Sequence, residues 1–320
     1  MLGLQVLITQ LTVNMGKNLQ TKQPVVEWPT LCVMIATYLT LGLATTWLAD
    51  FSLPLAILVT GFAVAQFSSL QHEVLHGHPF RSRWLSEASI FPGVTLYIPY
   101  IRFKDTHLAH HHDPILTDPY DDPESNFLDP KTWVLMPEIW KVLLKANNTL
   151  FGRILLGPAV SIWSFGGDDL RAILRGDLHI LSAWLLHALG VVMVIAWLWG
   201  TDGMPFWAYL IAAYFGFGLL KIRTFLEHRA HDLARARSVV IADKGFFALL
   251  FLNNNFHSVH HCQPGLAWYR LPQLFAENQD HYLTRNDGYF FDSYGQIFRK
   301  YFFRAKDPVP HPFWADTDKN

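Results

Sequence analysis

The chain has 320 residues and a formal net charge of −1, with 51% hydrophobic and only 16% charged residues, well below the roughly 25% charged of an ordinary soluble domain. Nothing in that balance points to a nucleic-acid partner, and two cysteines far apart, Cys32 and Cys262, argue against a disulfide framework or a cysteine-rich zinc module. Phe (24) and Trp (12) are abundant, as suits helices anchored at a bilayer interface, and the 16 histidines are clumped.

The first 15 residues are mildly apolar but lack a charged n-region and a small-residue cleavage site, so they do not read as a signal peptide. They read as an interfacial helix or an extension upstream of a start at Met15, within a cytoplasmic segment 1–30. Two stretches, Leu31–Leu48 and Leu53–Leu70, approach the roughly 20 apolar residues needed to cross a bilayer. The short turn Ala49-Asp50-Phe51-Ser52 makes them a helical hairpin. The second runs on into His72-Glu73-Val74-Leu75-His76, where positions i and i+4 share a helix face and can ligate one metal. Ser89–Ile101 carries Pro92, Gly93 and Pro99 and is too short to span, so it reads as re-entrant or interfacial.

A second cluster, His107-Leu108-Ala109-His110-His111, follows, and Asp113-Pro114 stops its helix. The acidic run Thr117–Ser125 reads by default as a solvated loop, with contacts to the histidines or to an electron donor as the alternative. Leu150–Trp163, with Pro158 inside, and Phe246–Leu252 read as helices along the cytoplasmic surface. Ile180–Trp199 and Phe206–Ile222, joined by Gly200–Pro205, form a second hairpin with His187 in mid-span, there to make a hydrogen bond between helices. Asn253-Asn254-Asn255-Phe256 leads into the third cluster, His257-Ser258-Val259-His260-His261, and Pro264–Tyr269 turns the chain back over it.

The charges orient this arrangement. No Lys or Arg lies between Lys22 and Arg81, nor between Arg175 and Lys221. Both termini and the long middle loop are therefore expected on the cytoplasmic side. All three histidine clusters fall in those segments and can converge there. The expected fold is an all-α integral membrane protein: four transmembrane helices in two hairpins, with cytoplasmic and interfacial helices carrying a di-metal site. Residues 31–282 form the membrane domain and 283–320 a cytoplasmic tail.

The second and third clusters share the spacing His-x-x-His-His, which again puts i, i+3 and i+4 on one face. Eight imidazoles are too many for one ion and suit two. Neutral imidazole accepts iron, zinc, copper or nickel, and the lack of cysteine ligands argues against a structural zinc knuckle. His-Glu-x-x-His also opens zinc metalloproteases, but here it ends a membrane span and two further histidine clusters accompany it.

A His-x-x-x-His box followed by two His-x-x-His-His boxes around two hairpins resembles the membrane fatty acid desaturases and related hydroxylases, over about Leu31 to Tyr282. The resemblance implies a centre of two Fe ions that uses O2 and two electrons to put a double bond or a hydroxyl into an unactivated chain. It implies metal-ligand roles for His72, His76, His107, His110, His111, His257, His260 and His261. His228, just after the fourth span, stands where the family supplies a further ligand. Glu73 and Glu227 are expected to orient ligand N–H groups, and Asn255 either to do the same or to cap the following helix. His78 and His112 break the box spacing and read as flanking or surface residues. His231 reads as outside the ligand set, Cys262 as a packed residue, and His179, His281 and His311 as surface.

Desaturation of an acyl or lipid chain is the leading expectation. A hydroxylase or ketolase acting on a lipid, carotenoid or small amphiphile is the alternative. The distant rival is a membrane metal transporter, which would need polar groups along its spans where this chain offers little beyond His187. Electrons are expected from a separate ferredoxin or cytochrome b5-type donor at the cytoplasmic face. A substrate tunnel is expected along Phe62, Phe67, Trp184 and Phe215.

Overall fold

The structure is a computed structural model and describes residues 25–314; the segment around Met1 and Met15 lies outside them. Its helices, in chain order, are α1 (Trp28–Thr45), α2 (Trp47–Phe51), α3 (Leu53–Leu75), α4 (Arg83–Ser89), α5 (Tyr100–His110), α6 (Pro130–Leu135), α7 (Glu138–Asn147), α8 (Leu150–Leu174), α9 (Leu178–Gly200), α10 (Phe206–Thr224), α11 (Phe246–Leu250), α12 (His257–Cys262), α13 (Leu271–Glu277), α14 (Gln279–Arg285) and α15 (Tyr294–Tyr301). Two short parallel strands, β1 (Val240–Ile241) and β2 (Phe290–Phe291), pair beside the histidine-bearing end. The fold is therefore helical, as expected.

By length and composition, four helical stretches can cross a membrane: Trp28–Phe51, Leu53–Leu75, Leu150–Leu174 and Leu178–Gly200. Three of them correspond to expected spans. The fourth differs: α8 is one continuous helix of 25 residues through Pro158, not a surface piece ending at Trp163. The expected fourth span does form a helix, α10 of 19 residues, but Lys221 and Arg223 sit in its last turn.

The two helices differ in what they pack against. Exposed large side chains line α8 (Phe151, Leu155, Trp163, Leu170, Leu174), whereas α10 buries Ala208, Tyr209, Ala212, Ala213 and Gly216. Small residues let α10 and α3 approach backbone to backbone. A Cβ on Gly216 would stand 2.6 Å from the Gly61 carbonyl oxygen, and one on Gly61 would stand 3.0 Å from that of Ala212. Pro158 has no N–H to offer the Ile154 carbonyl four residues earlier. Gly218 of α10 presses against that opened point, where a Cβ would stand 2.7 Å from the Ile154 oxygen.

The stretch between α4 and α5 is irregular, as expected, and must satisfy its backbone from side chains if it is shielded from water. Tyr38 Oη donates to Ser89 O (2.7 Å), Tyr209 Oη to Val94 O (2.9 Å) and His187 Nε2 to Leu96 O (2.9 Å). His187 thus bonds a loop carbonyl rather than another helix. Gly176 at φ +94 closes α8, and the Asp177 carboxylate accepts from Ile180 N at 3.0 Å to start α9. Arg102 of α5 grips the buried Asp169 of α8 through two nitrogens, and Trp184 Nε1 of α9 donates to the same carboxylate at 2.8 Å. That buried group ties three helices together.

Close approach at Gly216 makes a prediction. Gly216→Val should lower stability by about 1–3 kcal/mol through overpacking. Gly166→Ala, with open space around it, should be neutral or stabilising by up to about 1 kcal/mol. Thermal unfolding of the detergent-solubilised variants checks both, and equal effects would contradict the packing described.

Candidate metal centre

Helix period places the box residues. His72 lies in the last turn of α3 and His76 caps it; His107 and His110 lie in the last turn of α5 and His111 caps it. α12 carries His257, His260 and His261 on a helix of six residues. Ser258 N bonds Val239 O at 2.8 Å, and Ile241 N bonds Asn255 O at 2.8 Å, so the β1 segment fixes the third box. His228 comes from the bend after α10, bridged to Ser238.

All nine rings meet. Two groups have ligand atoms within 4.8 Å of one another and could each hold a metal ion: His72, His76, His107 and His260, and His110, His228, His257 and His261. His111 stands between them, its Nε2 2.9 Å from His107 Nε2 and 3.2 Å from His260 Nε2, with its ring stacked on His261 at 4.4 Å. In the second group His228 Nε2 lies 2.8 Å from His110 Nε2 and 3.0 Å from His257 Nε2, which is 3.1 Å from His261 Nε2. Two nitrogens about 2.1 Å from one ion at right angles would lie about 3.0 Å apart. His72 Nε2 and His76 Nε2 are buried with no hydrogen-bond partner. Leaving such atoms unmatched costs about 1–3 kcal/mol each, and a shared cation would match them. The donor set fits a pair of ions.

A family model described as fatty acid desaturase matches residues 45–293. The chain belongs to the fatty acid desaturase family. No curated protein matches the chain.

What sets this desaturase-family site apart from its boxes is the set of groups behind the rings. His110 Nδ1 lies 2.7 Å from Asp122 Oδ1, His107 Nδ1 3.0 Å from Glu124 Oε1, His257 Nδ1 3.3 Å from Asn254 Oδ1, and His228 Nδ1 3.3 Å from Ser238 Oγ. Partners on Nδ1 turn Nε2 inward. The acidic run is thus not wholly a solvated loop: Asp122 is buried and also accepts from Thr117 N at 2.8 Å. No periodicity marks it, because the contacts arise when a loop folds back.

Glu227 accepts from Asn254 Nδ2 (2.8 Å), lies 3.8 Å from His257 Nδ1 and pairs with Arg223 Nε at 3.1 Å. The orienting role expected of Asn255 falls to Asn254; Asn255 Nδ2 donates to Ile241 O (2.6 Å) and Asp243 O (3.1 Å) instead. Glu73 Oε2 accepts from Trp268 N at 3.2 Å, with Oε1 3.8 Å from His72 Nδ1. Trp268 belongs to the turn expected to fold over the site.

Three of the other histidines pair with acids, and His112 is exposed. His78 Nδ1 pairs with Glu27 (2.8 Å), His179 Nε2 with Asp105 (2.7 Å) and His231 Nε2 with Asp287 (3.3 Å). His311 is not a surface residue: it is buried, 3.1 Å from Thr117 Oγ1.

Burial, then the neighbouring imidazoles, holds His228, His257, His260 and His261 well below the ordinary histidine range. The same causes lower His111 to about 3. Neutral rings are the metal-binding form. His110 differs: burial opposes its charge, but Glu124 and the bond to Asp122 raise it to about 9. Against the effect of burial, His107 and His110 hold the Glu124 carboxyl well below its usual range.

A cavity of about 400 Å³ reaches His228, Asp122, Glu124 and Glu227 and extends under α8. None of the four expected tunnel residues lines it. Phe62 packs edge-on against Phe215 (5.6 Å), Phe67 against Tyr38 (5.7 Å), and Trp184 is held by Asp169. Aromatic residues on the spans fill the core, and the cavity opens instead where α8 crosses α10.

The buried Asp122–His110 pair gives a test. Removing one partner of such a pair costs about 3–5 kcal/mol, so Asp122→Ala should destabilise metal-free protein by that order. Asp121→Ala, at an exposed neighbour, should change stability by no more than about 0.5 kcal/mol. Chemical denaturation of both variants checks the difference; equal small effects would contradict the pairing.

Proposed function

We propose that the protein is an oxygen-dependent membrane desaturase that holds two iron ions on His72, His76, His107, His110, His111, His228, His257, His260 and His261 and introduces a double bond into an acyl or lipid chain. The observation that carries this is the pair of four-histidine groups with His111 between them. An all-imidazole set with no thiolate favours a borderline metal such as iron. Family membership favours oxidation over transport.

Two irons, when bound, supply the chemistry by which one dioxygen, two donor electrons and two protons take two hydrogens from a –CH2–CH2– unit, giving one alkene and two waters. The chain's own residues do the rest. Asp122, Glu124, Asn254 and Ser238 fix the rings from behind, so the donor geometry is set before any ion arrives. Arg223 pairs with Glu227, and Glu227 holds Asn254 against His257. The cavity beside His228 positions the chain, and placement of its methylenes decides between loss of a second hydrogen and addition of a hydroxyl.

The membrane arrangement we infer has α1 with α2, α3, α9 and α10 crossing, and α8 lying across the histidine end on the cytoplasmic side. Support comes from both ends of α8. Leu155 O accepts from Tyr214 Oη (2.6 Å) and Ser161 Oγ from Lys221 Nζ (2.7 Å) on α10, while Asp169 meets Arg102, five residues before His107. The lack of Lys and Arg from 176 to 220 supports an outside position for the far end of α9 and α10. A separate ferredoxin or cytochrome b5-type donor docks on the cytoplasmic face.

Purified protein reconstituted with ferrous iron should hold two irons per chain and consume oxygen only with reductant and substrate. His260→Ala and His257→Ala should each lose about half of the iron and all product, whereas His281→Ala, at an exposed ring, should lose neither. Zinc alone with no oxygen uptake would sink the reading. Mass spectrometry of lipids and acids separates alkene from hydroxyl product.

A further inference from the structure

The chamber under α8 is walled on one side by a single thickness of chain. Residues 306–309 line it. Asp307, Pro308 and Val309 also line a second hollow of about 220 Å³, together with Trp133, Lys145 and Asn148. One short strip is therefore the partition between two spaces. Pro308 is exposed and Val309 beside it is buried, as a strip one residue thick requires.

The way this strip is held suits a part that moves. Its near end is pinned by the bridge between Thr149 and Ala305 and by Phe151 N, which donates to Phe302 O at 2.9 Å. Lys306 N donates to Asn148 O (3.1 Å), and Lys306 Nζ donates to the His228 carbonyl. Beyond that point the backbone has little to offer, because Pro308 and Pro310 have no N–H; Asp307 O accepts from the Asn148 side chain. The far end is held at Leu128, whose N–H donates to Val309 O at 3.0 Å and whose carbonyl accepts from His311 N at 2.9 Å.

His311 is the latch. Its Nδ1 accepts from Phe313 N at 3.2 Å, so Nε2 carries the proton and donates to Thr117 Oγ1 at 3.1 Å. Thr117 N donates in turn to Asp122, which holds His110. Between Phe303 and Trp314 only Val309 and His311 are buried. A segment with so few buried side chains and backbone bonds opens at low cost.

We propose that Asp307–Pro310 is a gate: released at His311, it swings into the second hollow, joins the two spaces and opens an aqueous route to His228. Residues 302–306, pinned to α8 and to the turn before it, form the hinge side. The strip lies beyond residue 293, where the family match ends, so the gate is a feature of this chain's own tail. It concerns access alone and stands whether or not the histidines hold iron.

The test measures how fast a buried thiol in the chamber is reached. Val64→Cys, on the α3 wall at a position 1% exposed, is the reporter, in a background of Cys32→Ser and Cys262→Ala. The full chain in lipid nanodiscs is treated with a charged methanethiosulfonate, which does not pass through lipid, and labelling at position 64 is followed by mass spectrometry. His311→Ala should speed labelling about three- to tenfold, the effect of losing one modest hydrogen bond. Tyr214→Phe, which cuts the tie from α10 to Leu155 of α8, should leave the rate unchanged. Leu128→Cys with Pro310→Cys joins two bridge partners, and paired strands stand about 5 Å apart, within disulfide reach. Once oxidised, that pair should slow labelling about tenfold or more. Equal rates throughout, or acceleration by Tyr214→Phe and not by His311→Ala, would overturn the gate. Should His311→Ala fail to fold, the oxidised pair decides alone, and no slowing overturns the gate. Protein that binds no iron but shows the expected rates loses the oxidase reading and keeps the gate.

Discussion

Nine imidazoles cannot be packed into one place without a reason for their nitrogens to face each other, and the rest of the molecule is arranged around that constraint. Each Nε2 that turns inward needs its Nδ1 either matched or buried. Matching is done by groups from unrelated parts of the chain: Asp122 and Glu124 from a loop, Asn254 from the turn before α12, Ser238 from the edge of β1. Those groups in turn need fixed backbones. The pairing of β1 with β2, the bend after α10 and the Arg102–Asp169–Trp184 tie are the means. The apolar helices supply a rigid frame whose inner ends present the boxes.

The same economy governs the helices. α3 and α10 meet through Gly61, Ala212 and Gly216, which lets a helix rich in polar-tipped residues at its end still bury its length. α8 shows the converse: long and apolar enough to cross a membrane, it is nonetheless tied by polar contacts to the first turn of α5, an early turn of α9 and the last turn of α10. A hydropathy profile records how apolar a helix is, not whether lipid or protein accepts the surface. That is why length and composition select Leu150–Leu174 and pass over Phe206–Thr224, although α10 is the more deeply packed of the two.

Legibility in the sequence follows the range of the interaction. Box histidines are readable because helix period alone sets which side chains share a face, and a box fits within two turns. Their convergence is readable because the charge map puts all three on one side. His228 stands outside the three boxes, with only His231 at helix spacing, and is reachable only through the family resemblance. Asp122 and Glu124 lie 12 and 17 residues from the rings they touch, and no local pattern encodes a loop's return path. Asn254 and Asn255 differ only in which way adjacent side chains point, which the fold decides. The stems of Arg153 and Lys221 pass beside Gly157, one turn after Arg153 on α8, a feature of helix packing invisible in one dimension.

The tail completes the site from outside the stretch that the family shares. Lys306 donates through Nζ to the His228 carbonyl, and residues 306–309 wall the cavity, although the family match ends at 293. Synthesis runs from the amino terminus, so every histidine of the centre is made before the wall that encloses it. The same separation lets mutation reshape the chamber through residues 306–309 while leaving the nine histidines untouched.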